Sequence, residues 1–95
     1  MESIVQHEKV CFLCGRNGSM DPLEEHHIFN ASNRSNSEKY GLKVWLCGNR
    51  CHRNGADAAH RSRETADRLK AIGQAEFEKT HTRQEFIKIF GKSYL

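Results

Sequence analysis

Residues 46–53 read LCGNRCHR, and they place Cys47 and Cys51 close together at the end of an apolar stretch. A second pair, Cys11 and Cys14, lies upstream in residues 10–15, VCFLCG. In a chain without an evident export signal, such pairs favour a metal ion over disulfide bonds, because a tight turn can direct two sulfurs at one ion. We therefore predict that all four cysteines bind a structural Zn²⁺ ion. The alternative is a set of four buried or reactive thiols.

The composition indicates a small apolar core, which a bound metal ion would help to stabilise. The chain has 95 residues, 37% hydrophobic and 28% charged, and its mean hydropathy is −0.77. A single domain of this length, taken as 1–95, buries only roughly 60 to 70% of its unfolded surface, so we expect neither a second domain nor a wide substrate cavity. No apolar run reaches the roughly 18 residues of a membrane span, and no signal peptide is evident. We expect a cytoplasmic protein that does not bind membranes.

The charge of the chain is informative only locally. Its formal value of +3 falls to about +1 once four thiolates and one Zn²⁺ are counted. The segment between residues 47 and 64 is more basic than the rest, and its charged side chains are Arg50, Arg53, Arg61 and Arg63 against Asp57 and Glu64. This run indicates either a surface that faces phosphates or a solvated helix face.

Apolar patterning predicts an α+β fold. Short strands are expected over residues 10–15, 23–29 and 42–47, and the polar residues 30–37 are expected to form a loop. From Ala56 onward, apolar residues recur at helical spacing, which predicts one or two helices. A capping-box pattern precedes a last helix in this C-terminal helical segment, which spans about 62–95.

Histidines are clustered near the cysteines. Of the six in the chain, four lie between the cysteine pairs or just after the second pair: His26, His27, His52 and His60. Imidazole is a common metal ligand and a common base near neutral pH. Neighbouring side chains on a strand point to opposite faces, so the first two of these histidines suit different tasks, one binding a metal and the other accepting a proton from water. The alternative is an exposed strand end with two histidines that have no role.

The order of these features resembles the HNH endonucleases, whose ββα-metal site lies on a β-hairpin followed by a helix. The resemblance covers about residues 10–61. Residues 27–29, 37–42 and 90–95 also look like a small subfamily common in phage and prophage genomes. The motifs that carry the resemblance are Cys11-x2-Cys14, Glu25-His26-His27-Ile28, Leu46-Cys47 and Cys51-His52-Arg53.

The resemblance implies a zinc-stapled, treble-clef-like core and metal-dependent hydrolysis of phosphodiester bonds in nucleic acid, with DNA as the expected substrate in a bacterial or phage-infected cell. His26 matches a metal ligand, His27 matches the general base, and His52 matches the third motif residue, which completes the site. The catalytic ion would be Mg²⁺, Mn²⁺ or another divalent ion. His60 follows His52 by eight residues, roughly two helical turns, and is either a further ligand or a surface histidine.

The middle motif residue departs from the family pattern. The family usually places an asparagine five residues before the third cysteine, where this chain has Leu42. The polar residues 30–37 offer Asn30, Asn33 and Asn36 as replacements. We favour Asn33 as the catalytic residue whose amide orients the base, because it adjoins Arg34, and Asn36 is the next choice. The expected phosphate contacts are Arg34, Arg53, Arg61 and Arg63.

Two other functions fit the same residues. The zinc-stapled fold could bind nucleic acid without cutting it, or it could be an adaptor that binds another protein. The oligomeric state is left open by the sequence. Cleavage of plasmid DNA separates the first alternative from a nuclease, and the absence of any nucleic-acid binding at low salt would indicate the second.

Overall fold

A two-stranded antiparallel sheet and three α-helices make up the fold. The computed structural model describes residues 1–95. The strands are β1, Leu23–His27, and β2, Lys43–Cys47, and the α-helices are α1, Arg34–Tyr40, α2, Arg63–Phe77, and α3, Arg83–Phe90. A 3₁₀ turn at Ala31–Asn33 precedes α1, and a π-helical segment at Gly48–Arg53 follows β2. The predicted α+β class is confirmed. None of the helices has the length and apolar character needed to cross a membrane.

Strands β1 and β2 pair directly, although the 3₁₀ turn and α1 connect them, and we call this pair the hairpin. It presents two chemically different faces. Leu23 pairs with Cys47 and His27 pairs with Lys43 at its two ends. Because side chains alternate along a strand, the register divides the residues between the faces. One face carries Glu24, His26, Val44 and Leu46, and the other carries Glu25, His27, Lys43 and Trp45. His26 and His27 therefore point away from each other, as the sequence predicts.

The C-terminal helices pack on the hairpin through aromatic side chains. Phe29, just after β1, lies with its ring centroid 4.5 Å from that of Phe90 and 5.4 Å from that of Phe86. Gly73 lets α2 approach closely, since a Cβ atom there would be 3.3 Å from Ile28. The predicted capping box of α3, in which Thr82 and Glu85 exchange hydrogen bonds, is present. These contacts hold the helices against the end of β1 where His26 and His27 lie.

The predicted strand over residues 10–15 is wrong. This segment is a closed turn, in which Cys11 N–H donates to Arg16 O at 2.7 Å and Gly15 N–H donates to Cys11 O at 2.8 Å. Only Phe12 N–H reaches the hairpin, donating to Trp45 O at 2.8 Å. The chain here folds back on itself, so it has no free backbone edge for a strand partner.

The predicted loop over residues 30–37 is also wrong, because most of it is helical. Ser37 lies on the buried side of α1, where its hydroxyl donates to Phe29 O at 2.7 Å and accepts from Phe29 N–H at 2.9 Å. The helix ends at Gly41, whose φ of 70° suits a left-handed C-cap. Tertiary hydrogen bonds rather than an apolar stripe fix α1, so apolar periodicity does not reveal it.

The chain reverses direction between the π-helical segment and α2. Ala59 N–H donates to Cys51 O at 2.8 Å, and His60 N–H donates to His52 O at 3.0 Å. Helix α2 starts only after Ser62, whose hydroxyl accepts the N–H of Thr65. This reversal places His60 beside His52.

Gly55 lies at the tightest point of this reversal. A Cβ atom there would overlap the carbonyl oxygen of Arg50, which is backbone and cannot move aside alone. We expect Gly55→Ala to lower the free energy of unfolding by about 2 kcal/mol, as overpacking does elsewhere. Gly91→Ala is the control, because Gly91 has a φ of 101° but no atom within 4 Å of the added carbon. Gly91→Ala should lower the free energy of unfolding by only about 1 kcal/mol, through backbone strain. Urea unfolding measures both, and equal losses would contradict the steric argument.

Candidate functional site

Four sulfur atoms meet where the first turn contacts the end of β2. The Sγ atoms of all four cysteines lie within 4.8 Å of one another, and those of Cys14 and Cys47 are 3.5 Å apart. Sulfurs bound to a tetrahedral Zn²⁺ at about 2.3 Å are roughly 3.8 Å from each other. The predicted convergence of the four cysteines is confirmed, and the cluster could hold zinc.

The electrostatics of this cluster favour a bound cation. Burial acts to raise the pKa of Cys11, but backbone hydrogen bonds from Cys47, Cys14 and Leu13 outweigh it and lower the pKa to about 7. Burial, followed by the neighbouring thiols, raises the pKa of Cys47 to about 12. The pKa of Cys51 is raised by the same causes. A cation would relieve this conflict, since four thiolates can coexist only when a metal shares their charge.

Three imidazoles form a second cluster. The ligand nitrogens of His26, His52 and His60 all lie within 4.8 Å of one another. Nε2 of His52 and Nε2 of His60 are 3.1 Å apart. Two nitrogens bound to one tetrahedral ion at 2.0–2.1 Å would be roughly 3.3 Å apart. The spacing therefore suits a shared metal ion.

Each member of the histidine cluster comes from a different part of the fold. His26 is on β1, His52 is on the π-helical segment, and His60 follows the chain reversal. The sequence predicts His26 and His52 as ligands and leaves His60 open, and the structure brings all three together. His60 arrives through turns rather than along a continuous helix, because the π-helical segment ends at Arg53.

His26 is the most informative member. Its side chain is only 3% exposed, and its Nδ1 is the one buried side-chain polar atom of the chain with no hydrogen-bond partner. Burial, reinforced by the nearby charges of His52, His60 and His27, lowers the pKa of His26 to about 3. The ring is therefore neutral near pH 7, with an unused nitrogen. An unpaired buried polar atom is costly, and a metal ion would satisfy it.

Glu24 orients the cluster from the same face of β1. Its Oε1 lies 2.8 Å from His52 Nδ1, and its Oε2 lies 3.2 Å from Arg53. The bond to Nδ1 leaves Nε2 of His52 directed at His60, and carboxylates often hold metal-binding histidines in this way. Sequence reasoning missed Glu24. The available signal was its position two residues before His26, which places both on one strand face.

His27 belongs to a separate ionic network on the opposite face. Its Nε2 lies 3.0 Å from Glu38 Oε1, and its side chain is 11% exposed. Lys43 joins the network, with its Nζ 2.8 Å from Glu38 and 3.4 Å from Glu25. Hydrogen bonds from Lys43 and His27 lower the pKa of Glu38. These carboxylates and His27 are close enough to share a metal, but Lys43 already compensates part of the carboxylate charge.

Asn33 contacts a different part of the fold. Its Nδ2 donates to Phe90 O at 3.3 Å, and its Oδ1 accepts from Asn36 at 3.3 Å. Both asparagines therefore join α1 to itself and to the end of α3. The side chain bonded to His27 is Glu38, which sequence reasoning missed because it lies on the unrecognised helix α1.

The arginines expected to contact phosphate differ in their freedom. Arg53 donates to Gly48 O at 3.1 Å in addition to pairing with Glu24, and Arg61 donates to Asn54 O at 3.1 Å. Arg63 lies 3.8 Å from Asp67. Arg34 is exposed on α1. Internal hydrogen bonds therefore already engage Arg53 and Arg61, whereas Arg34 and Arg63 remain open to solvent.

No model of a known protein family matches the chain, and no curated protein or solved structure does so.

Proposed function

We propose that this protein is a metal-dependent endonuclease of the HNH type, which hydrolyses phosphodiester bonds in nucleic acid and nicks DNA. The observation that carries the proposal is the cluster of His26, His52 and His60, together with the buried His26 Nδ1 that has no hydrogen-bond partner. Structural zinc bound by the four cysteines would not require this second set of three convergent imidazoles.

The two clusters have different tasks in this proposal. The four cysteines hold a structural Zn²⁺, and the three histidines hold the catalytic divalent ion. When bound, that ion supplies charge stabilisation at the phosphate and at the leaving oxygen. Three imidazoles suit Mn²⁺, Zn²⁺ and other transition metals better than Mg²⁺, which prefers oxygen ligands. We therefore propose that Mn²⁺ supports more activity than Mg²⁺.

His27 is the proposed general base. It follows His26 at the end of β1, and its Nε2 bonds to the Glu38 carboxylate. When Nε2 carries the proton and donates a hydrogen bond to Glu38, Nδ1 has the free lone pair that a base needs. The two rings point to opposite faces of the hairpin, so in this proposal the scissile phosphate would lie across the end of β1, next to His27 and bound to the ion that the three histidines would hold.

Plasmid nicking tests the proposal. We expect the wild-type protein to convert supercoiled plasmid to nicked circles with added Mn²⁺ and more slowly with Mg²⁺, and we expect EDTA to prevent this. His27→Ala should reduce nicking at least about 100-fold, the scale of a lost general base, while zinc content and circular dichroism stay unchanged. His7→Ala is the control, since His7 is exposed and outside both clusters.

Two results would overturn parts of this assignment. Undiminished nicking by His27→Ala would remove His27 as the base. A wild-type protein that binds DNA but never nicks it, with any divalent ion, would favour the non-catalytic nucleic-acid-binding module.

A further inference from the structure

A polar groove lies beside the cysteine cluster, between the loop after Cys14 and the π-helical segment. We call it the knuckle groove. It has a volume of about 640 Å³. The side chains that define it are Arg16, Met20, Asp21, Asn49, Arg50 and Asn54.

The groove carries two cations that the protein itself does not use. Arg16 and Arg50 are both exposed, and neither takes part in any ion pair of the chain. Asp21 is the only acidic residue lining the groove. Its two carboxylate oxygens accept the backbone N–H groups of Asn49 and Arg50, each at 2.9 Å. The Asp21 carboxylate thus binds backbone N–H groups and not the arginines, so both guanidinium groups are free to bind a ligand.

The backbone beneath these arginines is fixed. The Asp21 bonds tie the first loop to the π-helical segment, and Gly48 N–H adds a bond to Pro22 O at 2.9 Å. On the other side, Asn54 Nδ2 donates to Asn49 Oδ1 at 2.7 Å. A surface held in place in this way loses little conformational entropy when it binds a ligand.

The groove and the histidine cluster share the π-helical segment. Arg50 precedes His52 by two residues on the same π-helical segment. Arg61, which follows His60, donates to the carbonyl oxygen of Asn54 at the groove. Because residues two apart on a helix point to different sides, a nucleic-acid strand in the groove would cross this segment to approach the histidines. Met20, which is 92% exposed at the rim, adds an apolar surface of the kind that packs on sugars and bases.

From these observations, we propose that the knuckle groove binds the sugar-phosphate backbone of nucleic acid, with Arg16 and Arg50 each contacting one phosphate. The guanidinium fork matches the oxygens of a phosphate, and the amides of Asn49 and Asn54 add polar contacts to the backbone. The inference rests on the proposed function, because it supplies the substrate surface for the same site. In this proposal the main phosphate contacts are made by Arg16 and Arg50, whose side chains have no partner in the chain, and not by Arg53 and Arg61.

Salt-dependent binding tests this inference. Fluorescence anisotropy with a labelled DNA duplex, in 50 to 300 mM NaCl and without added divalent ions, would compare wild type with Arg16→Ala/Arg50→Ala. Each lost phosphate contact should make the negative slope of log K against log salt shallower by about 0.9, so the double variant should bind about 50-fold more weakly near 0.1 M salt. Met20→Ser should weaken binding less and leave the slope unchanged.

The control removes the same charge elsewhere. Lys79→Ala/Lys88→Ala takes two exposed cations from the C-terminal half and should change affinity less than about threefold. The inference is overturned if the arginine variant binds no more weakly than this control, or if an acidic peptide displaces the duplex at equal concentration. Because binding is measured without a catalytic ion, a protein that fails to nick DNA can still confirm the groove.

Discussion

Cys47→Ser is expected to lose the structural zinc and to unfold. Cys47 is fully buried at the end of β2, and it belongs to the main hydrophobic cluster together with Cys11 and Cys51. Structural zinc contributes about 10–16 kcal/mol in small zinc-dependent domains, whereas a whole domain is stable by only about 5–15 kcal/mol. A two-stranded sheet is also marginal without further support. Loss of one ligand should therefore abolish the cooperative thermal transition.

Elemental analysis and circular dichroism measure this result. The wild-type protein should carry zinc at the cysteine cluster and melt cooperatively, and chelation should reproduce the spectrum of the variant. Adding Zn²⁺ back should refold the wild type but not Cys47→Ser. In the wild type, thiol reagents should react with all four cysteines only after chelation. A variant that folds normally without zinc would instead support four buried thiols with no metal.

His52→Ala is expected to abolish cleavage while keeping the fold and the structural zinc. The variant removes one of three clustered nitrogens and leaves Glu24 without its imidazole partner. Changes in residues that only orient metal ligands already cost 10–100-fold in metal affinity or activity, so the loss of a ligand should cost at least about 100-fold. Glu24→Gln should fall between this variant and wild type.

Metal content separates this result from general damage. The wild type incubated with Mn²⁺ should bind one ion more per chain than His52→Ala, and both should retain zinc. His7→Ala again serves as the control, with unchanged cleavage and metal content. Normal cleavage by His52→Ala would show that the histidine cluster is not the catalytic site.

The sequence reveals those parts of the site that depend on local spacing. The cysteine pairs predict one cluster because a short turn fixes the distance between two sulfurs. Alternation along β1 predicts that His26 and His27 diverge, and the register of the hairpin confirms it. Thr82 and Glu85 predict the start of α3, because a capping box is complete within four residues.

The sequence fails where distant residues set the local structure. Helix α1 is held by Ser37 bonding to Phe29, a contact that no periodic pattern encodes. The position of His60 depends on the reversal that Gly55 permits, so spacing along an ideal helix gives the wrong path. The orienting carboxylates, Glu24 and Glu38, become visible only when the strand faces and α1 are known.

Cys51 and His52 are consecutive. Their carbonyl oxygens accept hydrogen bonds from the backbone N–H groups of Ala59 and His60, which are consecutive as well. In the proposed two-metal protein, one short segment therefore serves both ions. Removing zinc from the cysteines would therefore free the segment that positions His52 and His60. In the proposed nuclease, a zinc-free chain would then also bind manganese weakly at its histidines.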